Sequence, residues 1–396
     1  MTQNPCGTPV TGLILSGGGA RAAYQVGVLK AIAHLLEGRP PCNPFPVIVG
    51  TSAGAINAVG LACGALHFRE AIKNLAEVWR GFHCGQIYRS DWPGVVSQVG
   101  RFTLRHLFGL SGKTPLALLD NRPLSLLLQD KLDFSGISAA VRQRQLQAVA
   151  ITAFGYESGQ AVTFYQGRAT LAPWLRHRRI GLPTRLDVPH LLASAAIPMI
   201  FPPVKVDGQY YGDGALRQSA PISPALHLGA TRILVIGVSG NQSEDSENGV
   251  ISGEFPPTLA QIGGHMLGSS FIDSLETDLE VVERLNQLAR LLPDNTRAEQ
   301  RLREVEVLTI SPSQPLDSIA ARYRHELPRA LRPFFFGPGA MHSSGAAILS
   351  YLLFEPGYCN ELIALGEQDA LRQREQLLPF LQQCSTAQHS TAAITT

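Results

Sequence analysis

Gly50-Thr51-Ser52-Ala53-Gly54 is a G-x-S-x-G that follows an apolar run and precedes a helical pattern. A strand-to-helix turn of this kind lifts a serine hydroxyl clear of a sheet, where it can attack an acyl carbon. The small flanking residues tolerate the tight backbone, and the helix N-terminus favours negative charge nearby. With 38 glycines in the chain the pattern alone is weak, and a plain packing turn is the competing reading. A second candidate, Ser16-Gly17-Gly18-Gly19-Ala20-Arg21, also lies between a strand pattern and a helix pattern. Consecutive glycines let main-chain N–H groups converge on an oxyanion or a phosphate. Arg21 falls in the first helical turn, where a cation opposes the helix dipole and so needs another partner. The loose Rossmann fingerprint Gly17-x-Gly19-x-x-Ala22 would require an acid at the end of the next strand, and Gly50-Thr51-Ser52 stands there instead.

A serine nucleophile needs a proton acceptor. Asp213, in Tyr210-Tyr211-Gly212-Asp213-Gly214-Ala215, is the best-placed carboxylate by context, although an ordinary Asp-Gly turn would look the same. Among the histidines, His34 and His67 sit on or beside helix patterns. His265, His325 and His342 stay open as bases of a Ser-His-Asp triad in which Asp213 would only orient the imidazole.

Strands and helices must position these groups. Apolar runs predict strands at 12–16, 47–50, 147–154, 161–165, 204–206, 209–211, 232–238 and 305–310, with Asp207-Gly208 as a hairpin turn. Helical periodicity covers 20–36, 54–66, 258–292, 343–354 and 360–381, with Asn360 expected as an N-cap. This alternation implies an α/β fold, a mostly parallel sheet flanked by helices, with a helical C-terminal extension. The expected division is a catalytic core over 11–240, an extension over 254–384 that contributes one strand, and a disordered tail over 385–396.

Three ordered motifs, G-G-G-x-R at Gly17–Arg21, G-T-S-A-G at Gly50–Gly54 and D-G-A at Asp213–Ala215, resemble the patatin-like phospholipases. The block Ala193-Ser194-Ala195-Ala196-Ile197-Pro198 before Phe201-Pro202 is similar as well, and the resemblance spans about residues 11–226. It implies the three-layer fold of that family and a Ser–Asp dyad, Ser52 as nucleophile and Asp213 as its partner. It assigns the oxyanion hole to Gly17, Gly18 and Gly19, assisted by Arg21, with Gly50, Gly54 and Gly214 as supporting positions. One departure is Ala22, where the family usually has glycine after the basic residue. The implied activity is hydrolysis of carboxylic ester bonds of lipids, phospholipid or lysophospholipid, through an acyl-enzyme. An α/β-hydrolase-type esterase and a non-catalytic lipid-binding module are the alternatives.

Composition narrows the partners. Lys and Arg number 33 against 31 Asp and Glu, a net charge of +2, so no nucleic-acid partner is expected. Charged residues are only 16% of the 396, which excludes a disordered chain. Six widely spread cysteines without a C-x-x-C pair predict neither a disulfide framework nor a zinc site. No cofactor and no metal is expected. The absence of a signal-like N-terminus and of a long apolar run points to the cytoplasm. Peripheral membrane contact is a further expectation, through Arg101–Leu110, Leu331–Gly337 or the basic tract Arg176–Arg179.

Overall fold

Alternating side chains along the central strands sort the aliphatic residues onto two faces of one sheet, and each face then needs a cover. The computed structural model describes residues 9–39, 42–91, 117–218, 220–239, 273–293, 304–332 and 344–389. The first elements are β1 (Thr11–Leu15), a 3₁₀ turn at Gly19–Ala22, α1 (Ala23–Leu35), β2 (Val47–Thr51), α2 (Ala53–Cys63), α3 (Phe68–Arg80) and α4 (Cys84–Ile87). Then come α5 (Arg122–Lys131), α6 (Ser135–Arg142), β3 (Ala148–Gly155), β4 (Gln160–Gly167), β5 (Trp174–Arg176) and β6 (Arg179–Pro183). They are followed by α7 (Val188–Ser194), β7 (Val204–Val206), β8 (Gln209–Asp213), α8 (Ser223–His227) and β9 (Arg232–Ile236). The last are α9 (Asp273–Leu291), β10 (Glu306–Ile310), α10 (Leu316–Arg322), α11 (Ser344–Leu352), α12 (Pro356–Arg372) and α13 (Arg374–His389).

The strands form one sheet in the order β10-β9-β1-β2-β3-β4-β6-β5, with β8 on β3 and β7 on β8. From β10 to β3 every pairing is parallel. Leu13, Leu15, Ile48, Val149, Ile151, Leu234 and Ile236 point into the larger core with α1, α2, α3 and α12. Their neighbours Ile14, Val47, Val49, Ala148, Ala150, Ile233 and Val235 face the smaller core beneath α8 and α9. Three layers result.

The C-terminal helices are bound into this frame. Helices α1 and α12 cross at glycines: a Cβ on Gly27 would lie 2.0 Å from the Ile363 carbonyl oxygen, and one on Gly366 would lie 2.1 Å from that of Tyr24. At the same crossing the Tyr24 hydroxyl donates to Asp369 Oδ2 at 3.1 Å, and Lys30 pairs with Glu367. Strand β10 lies in register on β9, where buried Arg232 bonds Glu306 Oε2 at 2.6 Å and the Phe380 carbonyl at 2.8 Å.

Several expectations change. Asn360 caps nothing. Helix α12 starts at Pro356 after Glu355, and Asn360 Nδ2 donates to the Pro356 carbonyl at 2.7 Å. Proline suits a first helical turn because the N–H it lacks would have no helical partner there. The run expected over 360–381 is two helices that break at Gln373. The basic tract forms a hairpin corner: Arg176 ends β5, Arg179 begins β6, and Arg178 takes a left-handed φ of 56°. Arg101–Leu110, residues 258–272 and most of Leu331–Gly337 lie outside the described residues.

Candidate active site

Strand register brings the two polar candidates together. Strand β4 occupies one edge of β3 over its whole length, from Ala148 to Gly155. The other edge is shared. Strand β2 covers it from Ala148 to Thr152, ending at Thr51, and β8 takes over in the opposite direction, pairing Asp213 with Ala153. Ser52 and Asp213, 161 positions apart in the chain, therefore meet at the seam where β2 stops and β8 arrives. Ser52 Oγ donates to Asp213 Oδ2 at 2.6 Å, and both residues are almost wholly buried.

The turn is under strain and braced. Ser52 has φ 55° and ψ −129°, a conformation that costs a non-glycine residue about 1–3 kcal/mol and persists only where surrounding contacts enforce it. Its N–H donates to Ser194 Oγ at 2.9 Å, and that hydroxyl donates to the Thr152 carbonyl at 2.6 Å. Its own carbonyl accepts from Ala55 N at 2.9 Å. A Cβ would lie 2.3 Å from the Gly54 oxygen at Gly50, 2.3 Å from the Leu15 oxygen at Gly54 and 2.1 Å from the Thr152 oxygen at Gly214. Glycine at those positions is a requirement of space.

Burial pushes the Asp213 carboxyl up to about 7, against the opposing effect of the Ser52 hydroxyl and the Ala215 N–H, which reaches Oδ1 at 3.0 Å. A base poised near neutrality can take a proton in one step and return it in the next.

Gly17 and Gly18 are buried between β1 and the 3₁₀ turn, which buried Gly19 opens. The first hydrogen bond of that turn runs from Arg21 N to the Gly18 oxygen at 3.1 Å, so the N–H groups of Gly18 and Gly19 precede it and remain outside the helical ladder. Gly19 has φ 56°, and a Cβ there would lie 2.1 Å from the Tyr351 oxygen. Arg21 reaches α11 as well. Its Nε donates to Ser350 Oγ at 2.7 Å, and the guanidinium lies 4.3 Å from the centre of the Tyr351 ring. These α11 contacts are the partner that a cation at a helix start needs, and they make Arg21 a strut of the loop.

Gly19 and Ser52 open into one apolar cavity lined by Ile56, Trp79, Phe82, Ile87, Leu124, Ile197, Phe201, Tyr351 and Phe354. None of its described lining residues is histidine. His325 is exposed, with Nδ1 3.2 Å from the Arg322 oxygen, while His34 pairs with Glu37 at the surface. His265 and His342 lie outside the described residues. Among the described residues, no three His, Cys, Asp or Glu side chains gather as metal ligands.

The sequence profile of the patatin-like phospholipases matches residues 13–226, more than half of the chain and the stretch that holds Ser52 and Asp213. The chain belongs to the patatin-like phospholipase family. A Pseudomonas aeruginosa protein named cGAMP-activated phospholipase is 28% identical over 219 residues, 54% of this chain and 55% of that protein. The chain thus matches about half the length of that relative. Human GIVD cytosolic phospholipase A2 overlays 96% of this chain and 60% of its own at 14% identity with a TM-score of 0.44. VipD from Legionella pneumophila does so over 96% and 69% at 12% identity and 0.36.

Sequence reasoning overlooked several residues of this patatin-like site. Ser194 lies in the Ala193–Pro198 block, and nothing in that run of small residues signals its role. Tyr351, on α11, and Phe354, in the turn after it, come from a segment whose own periodicity says nothing of what it covers. Gln25, Asn57 and Trp79 form a buried chain: Trp79 Nε1 donates to Asn57 Oδ1 at 2.8 Å, Asn57 Nδ2 to Gln25 Oε1 at 2.9 Å, and Gln25 Nε2 to the Ser16 oxygen at 2.7 Å. Buried amides at scattered positions carry no local signal.

Proposed function

We propose that the chain is a serine acyl hydrolase that cleaves carboxylic ester bonds of phospholipids or lysophospholipids through a Ser52–Asp213 dyad. The observation that carries this reading is the buried 2.6 Å hydrogen bond from Ser52 Oγ to Asp213 Oδ2, with Ser52 lining an apolar cavity. Asp213 takes the hydroxyl proton as Oγ attacks the ester carbonyl. The N–H groups of the Gly17–Gly19 loop receive the oxyanion, a contribution of about 3–4 kcal/mol per donor in comparable sites. Asp213 then returns the proton to the departing alcohol, leaving an acyl-Ser52 ester. Water attacks that ester with Asp213 again as base, and Ser52 is regenerated. Arg21 supports the loop from behind through Ser350 and Tyr351.

The deciding assay offers phosphatidylcholine and lysophosphatidylcholine vesicles to the wild type, Ser52→Ala and Asp213→Ala, with fatty-acid release as the readout. Release by the wild type alone supports the dyad; equal release by all three refutes it. Because one relative carries cGAMP activation in its name, a parallel arm contains cGAMP and reports whether turnover depends on it. Among the described residues no helix is long and apolar enough to cross a membrane. We place the protein in the cytoplasm with peripheral attachment to its lipid substrate, and vesicle co-sedimentation measures that attachment.

A further inference from the structure

Helix α2 measures distance from the nucleophile. Ser52 stands at its N-terminal end and Asn57 five positions on, about 7–8 Å along the axis. Every polar atom of the Asn57 side chain is engaged: Oδ1 accepts from Trp79, and Nδ2 donates to Gln25 and, at 3.1 Å, to the Ala22 carbonyl. The indole of Trp79 is thereby tied to the helix that starts after Ser52.

Two phenyl rings close around it. Phe82 lies 4.7 Å from Trp79, and Phe354 lies 6.1 Å from both, centre to centre. All three rings line the cavity that opens at Ser52, and none is more than 7% exposed. Phe354 belongs to the turn after α11, beyond residues 13–226. That turn is clamped to α4: Glu355 accepts from Cys84 N at 3.0 Å and meets His83 Nδ1 at 2.9 Å, and the Tyr88 hydroxyl donates to the Leu352 carbonyl at 2.8 Å.

Resting on the acyl-hydrolase reading above, we propose that the Trp79–Phe82–Phe354 ring cluster is the floor of the acyl site, with Phe354 the side chain that limits acyl-chain length. An acyl group on Ser52 runs from the glycine loop past Ile56 and Ile197 towards the rings. Short and medium chains end above them, whereas long chains meet packed aromatic carbon that cannot shift without breaking the Asn57 bond or the α4 clamp. The residue that selects the substrate thus comes from outside the half of the chain that the family profile matches and acts on a nucleophile inside it.

The test is kcat/KM of the full chain on p-nitrophenyl esters from acetate to palmitate in one detergent, for the wild type, Phe354→Ala, Phe354→Leu and Ser52→Ala. The wild type is expected to prefer octanoate or shorter esters over palmitate. Phe354→Ala should raise the palmitate-to-octanoate ratio by about tenfold, the discrimination that one or two methylenes carry in an apolar pocket. Phe354→Leu should move the ratio the same way by less, and it decides the matter if the alanine variant does not fold. A wild-type preference for palmitate, or an unchanged ratio in an active Phe354 variant, overturns the floor and leaves the acyl-hydrolase reading standing. Equal rates for the wild type and Ser52→Ala overturn that reading, and the floor with it.

Discussion

Two walls of one cavity contrast. The seam wall, where β2 gives way to β8, holds Ser52, Asp213 and the glycines in positions that tolerate neither bulk nor displacement. The facing wall, from α3 and the end of α11, is packed aromatic carbon tied down at its edges by hydrogen bonds. Hydrogen bonds of defined length require particular atoms at particular places. Apolar filling requires only volume, which several residue types can supply. The turns at Ser52 and Asp213 therefore leave short motifs, while the aromatic wall leaves none.

The largest expected effect lies on the seam. Ser52→Ala should lower ester hydrolysis by at least about 10³-fold with the fold intact, checked by kinetics beside circular dichroism. A like change at the facing wall, Phe82→Leu, should alter which esters are preferred far more than the maximal rate. If both variants lose rate equally, the contrast fails.

Next in size is the support behind the facing wall. Gly27→Val puts side-chain carbon against the Ile363 carbonyl and should cost at least about 3 kcal/mol in urea unfolding, the upper range for overpacking. A loss below 1 kcal/mol would mean that α12 can drift away from α1.

Asp213 sharpens the contrast through pH. Its folded carboxyl ionises near 7, while the unfolded one ionises near 3.8. Between those values the unfolded chain has released the proton and the folded chain still holds it, so this group's stability contribution is full below about 4 and is lost as pH rises through about 7. Asp213→Asn removes the buried charge. It should raise stability at pH 8 by up to about 3–4 kcal/mol, give no gain at pH 4, and abolish turnover. Wild-type kcat/KM should rise with pH and level off above about 7, as the carboxylate form fills. A rate flat from pH 5 to 8 would remove Asp213 as the base.

The smallest effect belongs to the strut between the walls. Ser350→Ala deletes the acceptor of Arg21 Nε and should cost about 1.5–3 kcal/mol in unfolding, with kcat reduced more than KM is raised. No change in either would leave the glycine loop independent of α11.

Much of this was legible beforehand, for a local reason. Continuous apolar runs marked β1, β2, β3 and β9, because strands buried on both faces need aliphatic side chains whatever surrounds them. Gly50–Gly54 and Asp213–Ala215 each read alone as an ordinary turn as well; taken in order with the glycine loop, they marked Ser52 and Asp213 as the candidate pair through the family resemblance. Asn360 misled for the same local reason: a good cap residue was preferred to a proline four positions earlier that equally well begins a helix. The role of Arg21 was illegible because its partners lie more than 300 positions away, on α11.

The chain by itself determined which segments become buried strands, the glycine-lined loop and the candidate nucleophile and base, since each depends on patterns within a few residues. Only the tertiary structure decided that β8 would meet β2 on one edge of β3, that α12 would cross α1 at paired glycines, and that Phe354 would line the same cavity as Ser52. Those outcomes depend on which surfaces fill each other's volume, a property of pairs of distant segments that no single segment carries.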